Sequence, residues 1–289
     1  MSSTIRHDRP IPSWVNTAVV FGTLAALLWI ERRRPLRARV EPGAAHDARN
    51  LVMAGLANAT VHLVERPVVE PLCELVERRR WGLLKRFDLP PWVELVLAVM
   101  LLDYTLYLWH VLTHRVPVLW RFHQVHHVDR DLTATTALRF HAGELAISTA
   151  WRAAQIVSIG VSPLSLSVWQ TFTLAEILFH HSNVALPERL ERLIAAVLVT
   201  PRLHGIHHSA VQDETDSNWS SGLTLWDWLH GTLRTDVPQE EITIGVPAYL
   251  DPEDVRLPRV LAMPFDEQRD PWLPAEGYPS GRVGNEESR

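Results

Sequence analysis

Long apolar runs alternate with short charged segments along this chain. Residues 14–30 form the first run, 17 residues without a charged side chain. Such a run can cross a hydrocarbon core of roughly 30 Å if its ends snorkel. A basic cluster beginning at Arg32 follows the run, whereas a cleaved signal peptide carries its basic residues before the apolar stretch. The pattern predicts a spanning helix whose second end faces the cytoplasm, where basic residues accumulate.

Later parts of the chain are also apolar enough to enter a membrane. Residues 51–64 predict either a short span or a re-entrant segment. Residues 92–112 predict a spanning helix that leads into a pair of histidines. Residues 145–161 and 164–179 are separated by a Ser-Pro pair and predict a helical hairpin. We therefore expect an all-α fold, an integral membrane helical bundle of about four to five membrane-inserted helices with a cytoplasmic, histidine-rich helical cap.

The segments between and after these runs predict surface structure. The basic stretch 65–91 ends in two prolines and predicts an interfacial amphipathic connector. Residues 186–198 follow helical spacing and predict an amphipathic surface helix. Residues 234–289 hold 8 of the 20 prolines and many acidic residues. They predict an irregular cytoplasmic cap that grades into a disordered tail.

Composition narrows the possible functions. The net charge of -5, without a basic stripe, gives no reason to expect nucleic acid as a partner. The single cysteine, Cys73, excludes an intrachain disulfide and a multi-cysteine zinc site. Of the 15 histidines, 12 lie between positions 110 and 230. This concentration indicates metal binding.

The histidines recur at spacings that suit metal ligation. His110 and His114 lie one helical turn apart on one face and can converge on one cation. A His-x-x-His-His motif follows at 123–127 and recurs at 204–208, with a His-His pair between them. Adjacent histidines point in different directions on a helix and can serve two different metals. The candidate ligands are His110, His114, His123, His126, His127, His180, His181, His204, His207 and His208.

The ligand count exceeds what one tetrahedral zinc ion requires. Imidazole binds iron, copper and zinc alike, so the ligand type leaves the metal open. Carboxylates near the motifs could accept the distal N–H of a ligand histidine, or could equally be helix caps or salt-bridge partners. These acids are Asp103, Asp129, Glu144, Glu176 and Asp227. We interpret Trp219, Trp226 and Trp228 as packing residues beneath the metal site.

Over residues 50–265 the chain resembles the fatty acid hydroxylase superfamily, also called the sterol desaturase family. Two positions depart from the family pattern, Trp219 where Tyr is frequent and His230 where Phe is frequent. The resemblance rests on Asp103-Tyr104, His110-x-x-x-His114, His123-x-x-His126-His127, Arg139-x-His141-x-x-Glu144, Phe179-His180-His181-Ser182-Asn183, Pro201-Arg202-x-His204-x-x-His207-His208, and Asn218 through Trp226-Asp227-x-x-x-Gly231-Thr232.

The resemblance implies a membrane-bound, non-haem di-iron oxygenase that hydroxylates or desaturates a lipid C–H bond. Dioxygen would be the co-substrate, and a separate ferredoxin, cytochrome or reductase would supply electrons. The substrate class stays open among sterol, fatty acyl, ether lipid and carotenoid. Between His180 and His181 the family pattern favours His181 as the ligand, and His141 could be a ligand, a hydrogen-bond donor to one or a substrate contact. The implied catalytic residues are His110, His114, His123, His126, His127, His181, His204, His207 and His208, supported by Asp103, His141, Glu144, Asn183 and Asp227.

The sequence also predicts the domain organisation and the location. Residues 1–45 would be an N-terminal membrane helix with a basic segment, 46–235 the membrane and di-metal catalytic domain, and 236–289 a Pro-rich acidic cap and tail. We expect the bacterial inner membrane, with the metal site facing the cytoplasm. A membrane metal transporter or metal store is an alternative, although its ligands should lie near the bilayer midplane. A zinc-bound member of the same fold is another.

Overall fold

A computed structural model describes residues 9–274, and all regular elements in this part of the chain are helices. The predicted all-α class is therefore confirmed for these residues. In chain order the α-helices are α1 Ser13–Glu31, α2 Gly43–Thr60, α3 Arg66–Arg79, α4 Pro91–Arg115, α5 Pro117–His127, α6 Ala142–Ile159, α7 Pro163–His181, α8 Glu188–Ala195, α9 Pro201–His207, α10 Gln212–Thr215, α11 Leu225–His230 and α12 Leu257–Ala262.

Two helices in the described part are long and apolar enough to cross a membrane, α1 and α4. The surface of α1 is strongly apolar: Trp14 and Phe21 are 72% and 65% exposed. A large exposed aromatic surface is costly in water but favourable in lipid. Insertion of additional helices, up to the four or five expected from the sequence, stays a prediction.

Residues 51–64, predicted as a short span or a re-entrant segment, lie within a longer helical stretch, and their insertion into the membrane stays a prediction. Helix α2, a π-helical segment at Val61–Glu65 and α3 form one continuous helical stretch. Val69, Cys73 and Val76 of α3 are buried in a core cluster that also contains residues of α4, α6 and α7. Their spacing of four and three residues makes an apolar stripe, so the predicted amphipathic connector contains a helix whose apolar face packs in the core, and its place at the membrane interface stays a prediction.

The predicted hairpin is present as α6 and α7. Gly160 ends α6 with a φ of 88°, a left-handed conformation that favours glycine. The hydroxyl of Ser162 then accepts a hydrogen bond from the amide of Ser165 at 3.1 Å and caps the start of α7. The turn therefore follows from the Gly and Ser-Pro residues that the sequence supplies.

The predicted surface helix is α8, but its apolar side faces outward. Leu193 and the nearby Val197 are 72% and 56% exposed, whereas Glu191 is buried. A helix with this arrangement suits a membrane interface, where apolar side chains enter the acyl region.

The C-terminal cap is irregular, as expected, and it is packed against the helices. Tyr249, Val255 and Val260 are buried in one cluster with Met53 of α2 and Val125 of α5. The cap therefore covers the helix that carries the second histidine motif. The predicted disordered tail lies beyond residue 274, outside the described residues.

Candidate metal centre

Four helices deliver the histidine motifs to one place. His110 and His114 occupy the last two turns of α4, and a short connection through Pro117 places α5 directly beside them. Proline at the first helical position stabilises the start of a helix because its missing N–H would have no partner there. The sharp reversal brings the motif at 123–127 back onto the end of α4.

The other candidate ligands come from the end of α7 and from α9. His180 and His181 are the last two residues of α7, and His204 and His207 lie on α9. The side chain of Thr200 accepts a hydrogen bond from the amide of Leu203 at 3.4 Å and caps α9.

The structure brings eight histidines together as two groups that could each hold a metal ion. Within each group the candidate ligand nitrogens lie within 4.8 Å of one another. The adjacent residues His126 and His127 belong to different groups, and so do His207 and His208. The first group is His110, His114, His127 and His207, and the second is His126, His181, His204 and His208.

The hydrogen bonds of the first group define which nitrogens are free. Nδ1 of His110 donates to the carbonyl oxygen of Trp219 at 2.7 Å, and Nδ1 of His207 donates to that of Ser217 at 2.9 Å. In the neutral rings the lone pairs are then on Nε2. These two Nε2 atoms face each other at 3.0 Å. Neither has a proton to donate, so the approach is repulsive unless a cation lies between them.

The second group repeats this arrangement around His181. Its Nδ1 donates to the carbonyl oxygen of Ile177 at 2.8 Å. Its Nε2 lies 2.9 Å from Nε2 of His126 and 3.0 Å from Nε2 of His204. Ligand nitrogens about 2.0–2.1 Å from one cation approach one another to roughly this extent.

Burial keeps these rings neutral, the form that binds metal. Burial lowers the pKa of His207 to about 3, although the carbonyl of Ser217 opposes the shift. Burial and the neighbouring His208 hold the pKa of His127 well below its usual range. Nε2 of His127 and of His114 is buried without a hydrogen-bond partner in the described structure. Such orphaned atoms require a partner, and the donor set fits a cation in each group.

His123 lies beside both groups, held by a carboxylate. Its Nδ1 donates to Oε1 of Glu144 at 2.7 Å, which leaves Nε2 as a buried acceptor without a partner. Its ring centroid is 4.9 Å from that of His114 and 5.5 Å from that of His126. The expected role of Glu144, to orient a histidine, matches this hydrogen bond.

We expect replacement of Glu144 by alanine to lower metal affinity or activity by about 10-fold to 100-fold, because His123 would lose the acceptor that fixes its tautomer. Glu144→Gln should retain most of the function because its amide oxygen can still accept the bond. Metal content and turnover of the purified variants measure this. Equal losses in both variants would mean that the charge of Glu144, and not its hydrogen bond, is what matters.

Two other candidate histidines are placed differently. His180 lies outside both groups, with its ring centroid 4.1 Å from that of His204 and the two ring planes tilted by 48°. His141 caps α6: its Nδ1 accepts from the amide of Gly143 at 3.0 Å and its Nε2 donates to the carbonyl of Leu261 at 3.2 Å. Nδ1 of His141 thus caps the start of α6, and its Nε2 holds the C-terminal cap against that end of the helix.

A loop after α10 connects the remaining candidates to the centre. Asp227 accepts hydrogen bonds from the amides of Trp219 and Ser220 at 2.8 and 3.0 Å. It thereby fixes the carbonyl that orients His110. Asp103 accepts from Nε1 of Trp226 at 2.7 Å and from the amide of Leu223. Asp103 thus joins α4 to this loop and does not contact a ligand histidine.

Of the three tryptophans interpreted as packing residues, two are buried. The ring of Trp219 packs against His110, His114 and His207 at centroid distances of 5.7, 4.6 and 5.2 Å. The interpretation of Trp228 is wrong, because its side chain is 69% exposed on α11. It points away from the face of α11 that packs against α4, which the sequence of so short a helix could not indicate.

Two further candidates from the sequence, Asn183 and Glu176, do not contact either group of histidines. Asn183 forms hydrogen bonds with the backbone of Arg37, and Glu176 has a buried Oε1 without a hydrogen-bond partner among the described residues.

A buried polar network behind α5 was only partly anticipated from the sequence. Asp129 is fully buried just after α5. Its partners are His46 at 3.0 Å, Asn50 at 2.9 Å, Thr136 at 2.8 Å, Arg49 at 3.2 Å and Arg139 at 3.8 Å.

This network predicts a pH dependence of stability. Burial alone would lower the pKa of His46, but the Asp129 carboxylate raises it to about 9. The protonated ring therefore stabilises the fold fully below about pH 6.5, and this contribution is lost as the pH rises through about 9. We expect the free energy of unfolding to fall over this window by at most about 1.4 kcal/mol per pH unit.

The His46→Gln variant should lack this dependence, and His62→Gln, at an exposed position, should keep it. Unfolding in detergent at pH 6 to 9.5 measures both. A wild-type stability that is flat over this range would contradict the ion pair.

The described residues thus form a helical protein with two membrane-length helices and two groups of histidines that could each hold a metal ion. Residues 95–232 match the family described as fatty acid hydroxylase, and they include all of the candidate ligands. This region of the chain belongs to that family.

Curated relatives include human alkylglycerol monooxygenase, 26% identical over 82% of this chain and 51% of the relative. Ornithine lipid hydroxylase OlsE of Rhizobium tropici is 32% identical over 53% of this chain and 45% of the relative. Cholesterol 25-hydroxylase of Rattus norvegicus is 27% identical over 54% and 52%. The chain thus spans about half the length of these relatives. No solved structure matches it.

Proposed function

We propose that this protein is a membrane-bound, non-haem di-iron oxygenase that hydroxylates a C–H bond of a lipid. The observation that carries the proposal is the pair of histidine groups, in which neutral rings direct lone pairs at one another across about 3 Å in buried surroundings. The relatives named as hydroxylases and monooxygenases support hydroxylation over desaturation.

The first group would hold one iron and the second group the other, with His123 as an additional ligand beside them. Together the two irons would supply the reduction of dioxygen, which uses two electrons from a separate donor and two protons, and yields a hydroxylated lipid and water. His110, His207 and His181 are each fixed by a carbonyl that accepts from Nδ1. The ligand rings are therefore oriented before metal binds, which lowers the cost of assembling the site.

The protein also excludes water from the centre and allows lipid to approach it. The Trp219 ring covers three ligand rings of the first group, and exclusion of water strengthens electrostatic interactions inside the site. His110 and His114 belong to the membrane-length helix α4. A lipid in the surrounding bilayer could therefore approach the centre along this helix.

Two alternatives predict different measurements. A zinc-bound hydrolase or structural site would contain zinc and would work without dioxygen. A metal transporter would move ions into liposomes, and it should place its ligands near the bilayer midplane. The ligands here lie in the last turns of α4 and α7 and beyond them, which favours the oxygenase.

The test compares lipids from cells that express the wild type or a variant lacking ligands of both groups, His207→Ala with His208→Ala. We expect a lipid that gains one oxygen atom only with the wild type, and only in air. Purified protein given a reductant and that lipid should consume dioxygen. A lipid change that persists without dioxygen, or that also occurs with the double variant, would overturn the proposal.

A further inference from the structure

A cavity of about 240 Å³ lies at the C-terminal end of the membrane-length helix α1, outside the histidine centre. Three arginines line it, Arg32, Arg37 and Arg39, against one glutamate, Glu31. The glutamate is already engaged, because Glu31 Oε2 accepts hydrogen bonds from the amides of Ala134 and Asn183 at 3.2 and 3.1 Å. The lining therefore has an excess of positive charge.

Arg37 is the most constrained of these arginines. Its Nη2 donates to the carbonyl of Pro201 at 2.6 Å and to Oε1 of Gln239 at 2.8 Å. The same nitrogen lies only 1.8 Å from the position that a Cβ on Gly205 would occupy. The guanidinium therefore packs directly against the histidine motif at 204–208. Its position is thus fixed on one side by the backbone of the metal centre.

Within the described residues, two of the three nitrogens of this guanidinium lack hydrogen-bond partners. Nε and Nη1 of Arg37 are buried and make no hydrogen bond within residues 9–274. No carboxylate in that range forms an ion pair with Arg37 or Arg32, whereas Arg39 is paired with Asp47 at 3.1 Å. Burial, reinforced by Arg202 and opposed by Glu191, lowers the pKa of Arg37 to about 9, so the group still carries its charge at neutral pH.

A buried, charged and half-satisfied guanidinium is costly unless an anion completes it. Guanidinium groups bind phosphate oxygens through two parallel hydrogen bonds. The cavity is also at the depth where phosphate groups of lipids would lie, because Glu31 is the last residue of the membrane-length helix α1 and Arg32 follows it.

We propose that this cavity is a binding site for a phosphate group at the membrane surface, contacted by Arg37 and Arg32. The phosphate could belong to a lipid headgroup or be free in solution. The site is separate from the histidine centre, although Arg37 joins the two through Gly205. A binding experiment tests this site without measuring turnover, so its result is independent of whether the proposed reaction is correct.

The experiment measures binding to the full-length protein in a neutral maltoside detergent. The probes are phosphatidylglycerol, diacylglycerol with the same acyl chains, and inorganic phosphate. The variants are Arg32→Glu and Arg37→Gln, with Arg34→Glu as the matched control, since Arg34 is in the same basic run but does not line the cavity. The metal content of each variant shows whether it is folded. If Arg37→Gln does not fold, the Arg32→Glu variant by itself tests the proposed site.

We expect phosphatidylglycerol to bind at least about tenfold more tightly than diacylglycerol, with that advantage lost in Arg32→Glu and kept in Arg34→Glu. If inorganic phosphate competes and shows the same variant pattern, the site also accepts the free anion, which supports the proposal. If it does not compete, the lipid is the source. Equal binding of the two lipids without phosphate binding, or equal losses in Arg32→Glu and Arg34→Glu, would overturn the site.

Discussion

Replacement of His126 or of His127 by alanine is expected to remove one metal ion each, and a different one in the two variants. The two residues are neighbours in sequence but belong to different groups of ligands. Metal content should fall from about two ions per chain to about one in either variant. Since loss of a residue that merely orients a ligand costs about 10-fold to 100-fold, hydroxylation should fall by more than about 100-fold.

The matched control is His62→Ala, at an exposed position outside both groups. It should retain the metal and the activity of the wild type. Metal analysis of the purified variants, together with product formation, measures the effect. If either the His126 or the His127 variant kept both metal ions, the assignment of neighbouring rings to separate sites would be wrong.

Replacement of Asp129 by alanine is expected to destabilise the fold by about 3–5 kcal/mol, because the partners of a fully buried carboxylate would be left unpaired. His46 and Arg139 are themselves completely buried, so neither can be solvated by water in its place. Electrostatic attraction to His46 and Arg139 holds the pKa of Asp129 well below its usual range despite burial. The carboxylate is therefore charged at neutral pH.

Unfolding by denaturant in detergent measures this loss, and Asp88→Ala provides the control. The Asp88 side chain is fully exposed beside Arg80, so its removal should leave the free energy of unfolding nearly unchanged. Similar stabilities of the two variants would show that the buried network contributes little.

Much of the centre could be predicted from the sequence because its ligands occur in short local motifs. Spacings of three and four residues place His123, His126 and His127 along one side of a helix whatever the rest of the fold does. The structure likewise gathers the motifs of α4, α5, α7 and α9. The helices themselves were also accessible, since apolar runs and Gly or Pro residues mark their extents.

What escaped prediction depends on contacts between distant parts of the chain. His46 and Asp129 are 83 residues apart, and no local pattern connects them. Arg37 lies beneath Gly205 although 168 residues separate them (205 minus 37). The packing of α3 against α4, α6 and α7 also escaped prediction, because no local pattern identifies the helices that Val69 and Val76 contact.

We propose that imidazole rings from four helices bind a pair of iron ions. X-ray absorption at the iron and zinc edges of protein purified from membranes tests it most directly. We expect about two irons per chain, each with a nitrogen-rich shell at roughly 2.0–2.2 Å and the scattering pattern of imidazole rings. Stoichiometric zinc without iron, or iron bound without imidazole, would contradict it.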